Sequence, residues 1–344
     1  MSAKLLYLLS LLLLISIGCE PDQNQRKSDF SLKTTAKKDV FVKGSPIEFE
    51  LVNKKNKTIE SVKFQLSGSH IENGQVPEKI KLGKQELTAI VKYESGTDTI
   101  SRTLTIVNDS NPKIYKYRLL NTYPHDITSY TQGLEFHDGF LYESTGQNGE
   151  SKLRKIDYKT GEVIKNIELD KVYFGEGLTV FNNKVYQLTW RNKTGFIYDL
   201  PEMNKTGSFR YGESQEGWGL CHDNSVLYKS DGTEKIWRLN PETLSEMDYI
   251  QAYTNKGKII GLNELEWVEG KIFANRYQKN GVAIINPGSG AIEGVIDFSP
   301  LRKEVKQHPK LDVLNGIAYN PDTGTIFVTG KNWDKLFEVE IIED

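Results

Sequence analysis

The chain has 344 residues, with 44 Lys+Arg against 46 Asp+Glu and a formal charge of −2. This length is enough for two domains. Because phosphate binding needs clustered Lys and Arg, a balanced chain without a basic run excludes nucleic acid as the main partner. With only 2 Cys, the chain is not a disulfide scaffold either.

The N-terminal 18 residues have the pattern of a signal peptide. Lys4 precedes an apolar run from Leu5 to Gly18, which is shorter than the roughly 20 residues that a membrane-spanning helix needs. A basic residue followed by a short apolar run is typical of secretory signals. We therefore predict a signal peptide over 1–18.

The segment Ser16-Ile17-Gly18-Cys19 resembles the lipobox of bacterial lipoproteins, with Ser16 where an aliphatic residue is usual. The resemblance implies lipidation at Cys19, and plain secretion is the alternative. Polar residues follow, so we expect 19–32 to hold the lipidated Cys and a flexible tether. The mature protein would lie in the cell envelope, on the periplasmic or outer surface, attached to a membrane by its lipid anchor only.

Residues 33–110 alternate apolar and polar side chains in short runs. Alternation with a period of two, interrupted by Gly, Asn and Ser clusters, predicts strands of an antiparallel sandwich. We predict a small immunoglobulin-like β-sandwich that serves as a spacer or docking module. The clearest runs are 40–42, 47–51, 62–66, 87–91 and 100–106.

An internal repeat begins after Pro112. Its five copies start at 132, 176, 218, 263 and 315, so they are spaced 44, 42, 45 and 52 residues apart. Each copy contains three short apolar strands, and this period is typical of propeller blades. The strand 114–120 precedes the first copy, and we expect it to complete the last blade and close the ring. The chain is thus predicted to be all-β, with a five-bladed β-propeller over 113–344.

Equivalent positions of the repeat should meet at one end of the central channel. A second ring of positions follows fourteen residues after the first, where the returning strand reaches the same level. In the last copy the spacing is sixteen, because the turn 321–324 is inserted. Polar groups that converge among aromatic side chains are typical of a small-ligand site. The first positions are Gln132, Glu176, Trp218, Asn263 and Asn315, and the second are Gly146, Trp190, Gly232, Tyr277 and Lys331.

The five His residues lack the spacing of a zinc site, so we predict no catalytic metal. Channel-facing carbonyls could hold a structural calcium ion.

Several motifs resemble the plant-type glutaminyl-peptide cyclotransferase family over about 113–344. They are Tyr-Thr-Gln-Gly-Leu at 130–134, Phe-Gly-Glu-Gly-Leu at 174–178, Gln-Leu-Thr-Trp at 187–190, Gly-Trp-Gly-Leu at 217–220, Leu-Asn-Glu-Leu-Glu at 262–266, Leu-Asn-Gly-Ile-Ala at 314–318 and Gly-Lys-Asn-Trp at 330–333. The resemblance implies a five-bladed propeller and an enzyme, an aminoacyltransferase that converts the N-terminal glutamine of peptides or proteins to pyroglutamate and releases ammonia. It implies no cofactor for catalysis, and we expect a monomer.

Carried over residue by residue, the resemblance places the catalytic carboxylate at Glu176 and further catalytic groups at Lys331 and Asn263. Substrate-binding residues fall on Gln132, Phe174, Trp190, Trp218 and Tyr277. The last of these is a departure, because relatives usually carry Trp there.

The chemistry needs such groups. A peptide α-amine has a pKa near 7.7–8.0, so a carboxylate must accept its proton before the amine can attack the side-chain amide. Apolar neighbours would raise the pKa of Glu176 toward neutrality, as a proton shuttle requires. Lys331 and Asn263 would stabilise the oxyanion of the tetrahedral intermediate.

Other functions remain open from sequence. A non-catalytic, surface-anchored propeller could bind peptides or glycans at the same aromatic mouth, with Lys331 merely neutralising Glu176. A metal-dependent lactonase-like propeller would need several acidic ligands in the channel, but the first ring contains only one acid, Glu176.

Overall fold

The computed structural model describes residues 28–71 and 74–343. The chain is all-β over these residues, and its helical segments there are two short 3-10 helices, Lys37–Asp39 and Ser299–Lys303. The predicted signal peptide and Cys19 lie outside the described residues. The predicted tether over 19–32 ends earlier than expected, because β1 begins at Phe30 and the apolar side chains of Phe30 and Leu32 are buried in the core. Within the described ranges, no helix is both long and apolar enough to cross a membrane.

The strands before residue 110 form two sheets. One sheet pairs β1 with β3, and the other has the order β2-β7-β6-β4-β5, with β2 parallel to β7. The predicted alternating runs overlap strands β2, β3, β4, β6 and β7. In order, the strands are β1 (Phe30–Thr34), β2 (Val40–Val42), β3 (Phe49–Asn53), β4 (Ile59–Leu66), β5 (Ser69–His70), β6 (Gly83–Tyr93) and β7 (Gly96–Val107).

Alternating burial explains why these strands form. Leu87, Ala89 and Val91 of β6 are fully buried, whereas the residues between them are more exposed. Successive side chains of a strand point to opposite faces, so this period of two places one face of the sheet against a core. The same core includes Tyr253 and Ala291 from the later part of the chain.

The remaining strands begin with β8 and follow one another closely. They are β8 (Lys113–Pro124), β9 (Thr131–His137), β10 (Phe140–Thr145), β11 (Lys152–Asp157), β12 (Glu162–Glu168), β13 (Gly175–Phe181), β14 (Lys184–Thr189), β15 (Thr194–Asp199), β16 (Asn204–Arg210), β17 (Leu220–His222), β18 (Leu227–Ser230), β19 (Lys235–Leu239), β20 (Glu246–Gln251), β21 (Tyr253–Thr254), β22 (Gly257–Lys258), β23 (Leu262–Val268), β24 (Lys271–Arg276), β25 (Gly281–Ile285), β26 (Ile292–Asp297), β27 (Leu314–Asn320), β28 (Thr325–Gly330) and β29 (Lys335–Ile342).

Successive strands pair into antiparallel groups of four. The first groups are β9 to β12, β13 to β16, β17 to β20 and β23 to β26, and the last contains β27, β28, β29 and β8. As predicted, the strand that precedes the first repeat completes the last group, since β8 pairs with β29 from Pro124 to Lys116. The start of β8 also pairs in parallel with β26, a contact that the repeat pattern does not predict, and this joins the last two groups into one eight-stranded sheet.

The first strands of the five groups contact one another in a closed circuit. β9 contacts β13, β13 contacts β17, β17 contacts β23, β23 contacts β27, and β27 returns to β9. Because the first strand of each copy lies in this circuit, equivalent residues of the five repeats come together at one place.

Gly177 shows how closely these inner strands approach. A Cβ atom at this position would lie 2.6 Å from the Cα atom of Gly219 and from the backbone oxygen of Trp218. The equivalent position of β23 is Glu264, whose buried carboxylate accepts hydrogen bonds from backbone N–H groups of β9 and β27. Backbone contact therefore fixes the spacing of the inner strands, and Glu264 links three of them.

The N-terminal sheets dock against the third group, β17 to β20, and against the turn between β25 and β26, where the N–H of Leu82 donates to the backbone oxygen of Ser289. Lys81 forms an ion pair with Asp248 at 3.0 Å, and the side chain of Gln251 hydrogen-bonds the backbone of Lys84.

Candidate active site

One cavity collects every residue predicted to bind or transform a substrate. Its volume is about 240 Å³, just below the roughly 300–1,000 Å³ that is usual for ligand pockets. The structure brings all eight predicted site residues to this cavity, and its full lining is Tyr130, Gln132, Gln147, Phe174, Glu176, Trp190, Trp218, Asn263, Tyr277 and Lys331.

Irregularities in the inner strands position the polar residues of the cavity. In β13, Glu176 and Gly177 interrupt the regular pairing with β14, and β23 has the same irregularity at Asn263 and Glu264. In β9 it falls at Gln132. Bulges of this kind bend a strand and redirect a side chain, and here they coincide with the first residue of four of the five repeats.

Glu176 is a buried carboxyl group, 4 % exposed, and its Oε2 atom has no hydrogen-bond partner. Burial raises the pKa of Glu176 well above its usual value, since a charge is poorly solvated inside the protein. The positive charge of Lys331 opposes this rise in pKa, and the negative charge of Glu216 adds to it. A carboxyl group with a raised pKa and a free oxygen in a cavity is suited to exchange protons with a bound molecule.

Lys331 is 2 % exposed and lies between two aromatic rings. Its Nζ atom is 4.7 Å from the ring centre of Tyr130 and 5.3 Å from that of Tyr277. Burial lowers the pKa of Lys331, while the charges of Glu176 and Asp312 act to raise it. The hydroxyl of Tyr130 donates to Asp312 at 2.9 Å, which orients the ring beneath the ammonium group.

Two amide side chains complete the polar part of the cavity. Asn263 is 2 % exposed, and its Oδ1 atom is buried without a hydrogen-bond partner. Gln132 is held in place because its Oε1 atom accepts a hydrogen bond from Asn315 at 3.2 Å. A buried polar atom without a partner costs free energy, so the free oxygens of Asn263 and Glu176 suit a site that is completed by a polar ligand.

Aromatic side chains form the walls of the cavity. Phe174 and Trp190 have ring centres 5.5 Å apart, and Trp218 meets Tyr277 edge-on at 5.6 Å. Tyr277 is 39 % exposed, so it lies at the mouth. Such walls exclude water from the polar groups between them, which strengthens electrostatic interactions in the cavity.

Known proteins share this chain's sequence and fold. The sequence model of the glutamine cyclotransferase family matches residues 90–341. The glutaminyl-peptide cyclotransferase of Arabidopsis thaliana is 37% identical over 236 residues, which are 68% of this chain and 73% of the plant protein. The chain belongs to the glutamine cyclotransferase family.

A solved structure supports the same family membership. The crystal structure of Myxococcus xanthus glutaminyl cyclase matches this cyclotransferase-family chain with a TM-score of 0.62 and 34% sequence identity. The match covers 98% of the Myxococcus chain but 67% of this one. About a third of this family member therefore has no counterpart in the Myxococcus chain.

Sequence reasoning missed two residues that line the cyclotransferase-family site, Tyr130 and Gln147, and one that lies beside it, Glu216. The repeat contains the signal for two of them, because Tyr130 and Glu216 each precede the first position of a repeat by two residues, as Phe174 does. Gln147 directly follows a second-ring position and lines the cavity.

The described part of the chain contains no group of three or more His, Cys, Asp or Glu side chains placed to hold a metal ion. This finding concerns those side chains alone, so a calcium ion bound by backbone carbonyls stays a prediction.

Proposed function

We propose that this chain converts the N-terminal glutamine of peptides or proteins to pyroglutamate and releases ammonia, with Glu176 as the proton shuttle. One observation carries the proposal: a buried carboxyl group with a free oxygen and a buried ammonium group line the same small aromatic cavity. The assignment of roles rests on this geometry, and the activity rests on the family.

The first step moves a proton from the substrate's α-ammonium group to the carboxylate of Glu176. The neutral amine then attacks the carbon of the side-chain amide, and a C–N bond closes the five-membered ring. Glu176 gives this proton to the nitrogen of the side-chain amide as the original C–N bond breaks, and ammonia leaves. The ring nitrogen passes its surplus proton to the carboxylate of Glu176, from which the released ammonia or water takes it up. A positioned acid–base group of this kind contributes about 10²–10⁴-fold in rate.

Lys331 and Asn263 act on the charge that develops between these steps. The amide oxygen becomes an oxyanion, and a fixed cation or amide donor stabilises it by about 3–4 kcal/mol per well-placed group. Because Lys331 stacks on two aromatic rings, its ammonium group is already in position before the charge forms.

The aromatic walls determine which substrate conformation binds. Ring closure requires the glutamine side chain to fold back on its own amine, and holding that conformer lowers the entropic part of the barrier. A cavity of about 240 Å³ accepts a single folded residue. Phe174, Trp190, Trp218 and Tyr277 hold it, and Gln132 contributes a polar contact.

The decisive experiment incubates the full chain with a dipeptide amide that begins with glutamine and measures ammonia release and the mass of the product. We expect a product lighter by one ammonia, with a rate that withstands a chelator. The matched control is the N-acetylated peptide, which lacks a free amine and should not react. Tight peptide binding without ammonia release across many such peptides would instead favour the non-catalytic binding propeller.

We infer that the five antiparallel groups are the blades of a five-bladed propeller over 113–344. The closed circuit of inner strands supports this interpretation. Residues 33–110 would then form a separate immunoglobulin-like sandwich, supported by its own two sheets and by the third of the chain that the Myxococcus structure lacks.

We further propose that the mature protein is a lipoprotein of the cell envelope, anchored through Cys19. Only the sequence supports this proposal. Cys19→Ala should move the protein from the membrane fraction to the soluble fraction, and continued membrane association of the variant would contradict it.

A further inference from the structure

The carboxylate of Glu216 lies outside the substrate cavity and links two of its aromatic walls. The Oε2 atom of Glu216 accepts hydrogen bonds from the indole N–H groups of both Trp190 and Trp218, each at 2.8 Å. Its Oε1 atom accepts a hydrogen bond from Arg191 at 3.1 Å, and the guanidinium of Arg191 lies 3.8 Å from the centre of the Trp190 ring. Each oxygen of Glu216 is therefore used by a group that forms or supports a wall.

The backbone around Glu216 is itself held in place. The fully buried Lys229 donates to the backbone oxygen of Glu216 at 3.2 Å and pairs with Glu246 at 3.3 Å. The next residue, Gly217, donates its N–H to the backbone oxygen of Trp190 at 3.0 Å. These contacts hold the backbone of Glu216 in place, so its carboxylate can fix the positions of the two indole rings.

We propose that Glu216 is a positioning residue that sets the two tryptophan walls for the bound glutamine, without touching the reacting atoms. This inference rests on the proposed function for its kinetic consequences. Trp190 and Trp218 belong to different repeats, and a shared carboxylate oxygen fixes the distance between their indole nitrogens, which packing alone would leave adjustable. The hydrogen bonds are made to a charged group, and these are the stronger kind.

The charge of Glu216 also affects the pKa of Glu176, the proposed proton shuttle. Burial acts to raise the pKa of Glu216, but the hydrogen bonds from Trp218, Trp190 and Arg191 outweigh it, so the pKa lies below its ordinary value and the group is ionised at neutral pH. That negative charge adds to burial in raising the pKa of Glu176, whereas Lys331 opposes it.

The test compares Glu216→Gln with Glu213→Gln, an exposed carboxyl group of the same loop. A charge-assisted hydrogen bond contributes about 1.5–3 kcal/mol, so we expect kcat/KM of Glu216→Gln to fall about tenfold to a hundredfold, mainly through KM. The acidic limb of its pH profile should move to lower pH. Glu216→Asp keeps the charge but cannot reach both indoles, so it should lose kcat/KM without that pH shift.

Fluorescence gives a readout that does not depend on turnover. Acrylamide should quench the tryptophans of Glu216→Gln more strongly than those of wild type, with an unchanged melting temperature, while Glu213→Gln matches wild type. If Glu216→Gln equals Glu213→Gln in both quenching and kinetics, the positioning role is wrong. A wild-type protein that releases no ammonia would refute the proposed function alone, since quenching still decides whether Glu216 orders the indoles.

Discussion

Replacing Glu176 with Gln tests the proposed chemistry most directly. The substitution keeps the size of the buried side chain, and it removes the carboxyl group that is proposed to carry the proton. We expect kcat to fall by about 10²–10⁴-fold, the usual contribution of a positioned acid–base group. The remaining rate would come from Lys331, Asn263 and the aromatic walls.

The pH dependence of the wild-type enzyme follows from the same residue. Glu176 must be ionised to accept the proton of the α-ammonium group. Because burial raises its pKa, the rise of kcat/KM with pH should occur above the ordinary carboxyl range near pH 4.3. Glu176→Gln should lack this limb.

As the pH rises, the stability of the wild-type protein should fall while its activity rises. The folded protein holds the proton of Glu176 more tightly than the unfolded chain, so its contribution to stability is complete below about pH 4.3 and is lost as the pH rises through the folded pKa. Each unit of difference between the two pKa values is worth about 1.4 kcal/mol. The unfolding free energy of Glu176→Gln relative to wild type should therefore increase with pH across this window.

The assays are ammonia release across a pH series and urea unfolding at about pH 5, just above the ordinary carboxyl pKa, and at about pH 8, near the pKa of a peptide α-amine. Glu202→Gln, an exposed carboxyl group of the same repeat, is the matched control and should behave as wild type. The reasoning is refuted if Glu176→Gln retains wild-type kcat, or if its relative stability falls as the pH rises.

Three further substitutions test other parts of the site. Lys331→Met should lower kcat about 10²–10³-fold and move the acidic limb to higher pH, because its charge lowers the pKa of Glu176; an unshifted limb in the pH–rate profile would contradict this coupling. Tyr277→Ala, at the exposed mouth, should raise KM more than it lowers kcat in steady-state assays, and the reverse pattern would place it in the chemistry. Gly177→Ala should destabilise the fold by about 1–3 kcal/mol in urea unfolding, because its Cβ would lie 2.6 Å from Gly219; an unchanged midpoint would show that the inner strands can separate.

The repeat made the site predictable. Equivalent positions of a repeat occupy equivalent places in the fold, so Glu176 and Lys331 could be assigned to one cavity although they lie 155 positions apart in the sequence. The same pattern predicted the closing strand β8, because the last copy lacked a fourth strand. These features depend on periodicity alone, which the sequence records directly.

Side-chain contacts between repeats were not predictable in the same way. Sequence spacing placed Trp190 and Trp218 near a ligand but gave no reason to connect either of them to Glu216. This residue lies two positions before Trp218, the first residue of its repeat. The hydrogen bonds from the two indoles to Glu216 depend on the orientation of one group of strands relative to the next. They also depend on the loop that contains Glu216, whose backbone oxygen accepts a hydrogen bond from Lys229.

The sequence by itself determined the all-β character, the five repeats and eight of the ten side chains that line the cavity. Only the tertiary structure decided how these side chains are used: the bulges that turn Glu176 and Asn263 inward, the rings that flank Lys331 and the carboxylate shared by two indoles. The physical reason is that burial leaves a periodic trace in the sequence, whereas hydrogen bonds and pKa shifts depend on distances of a few ångströms between residues far apart in the chain.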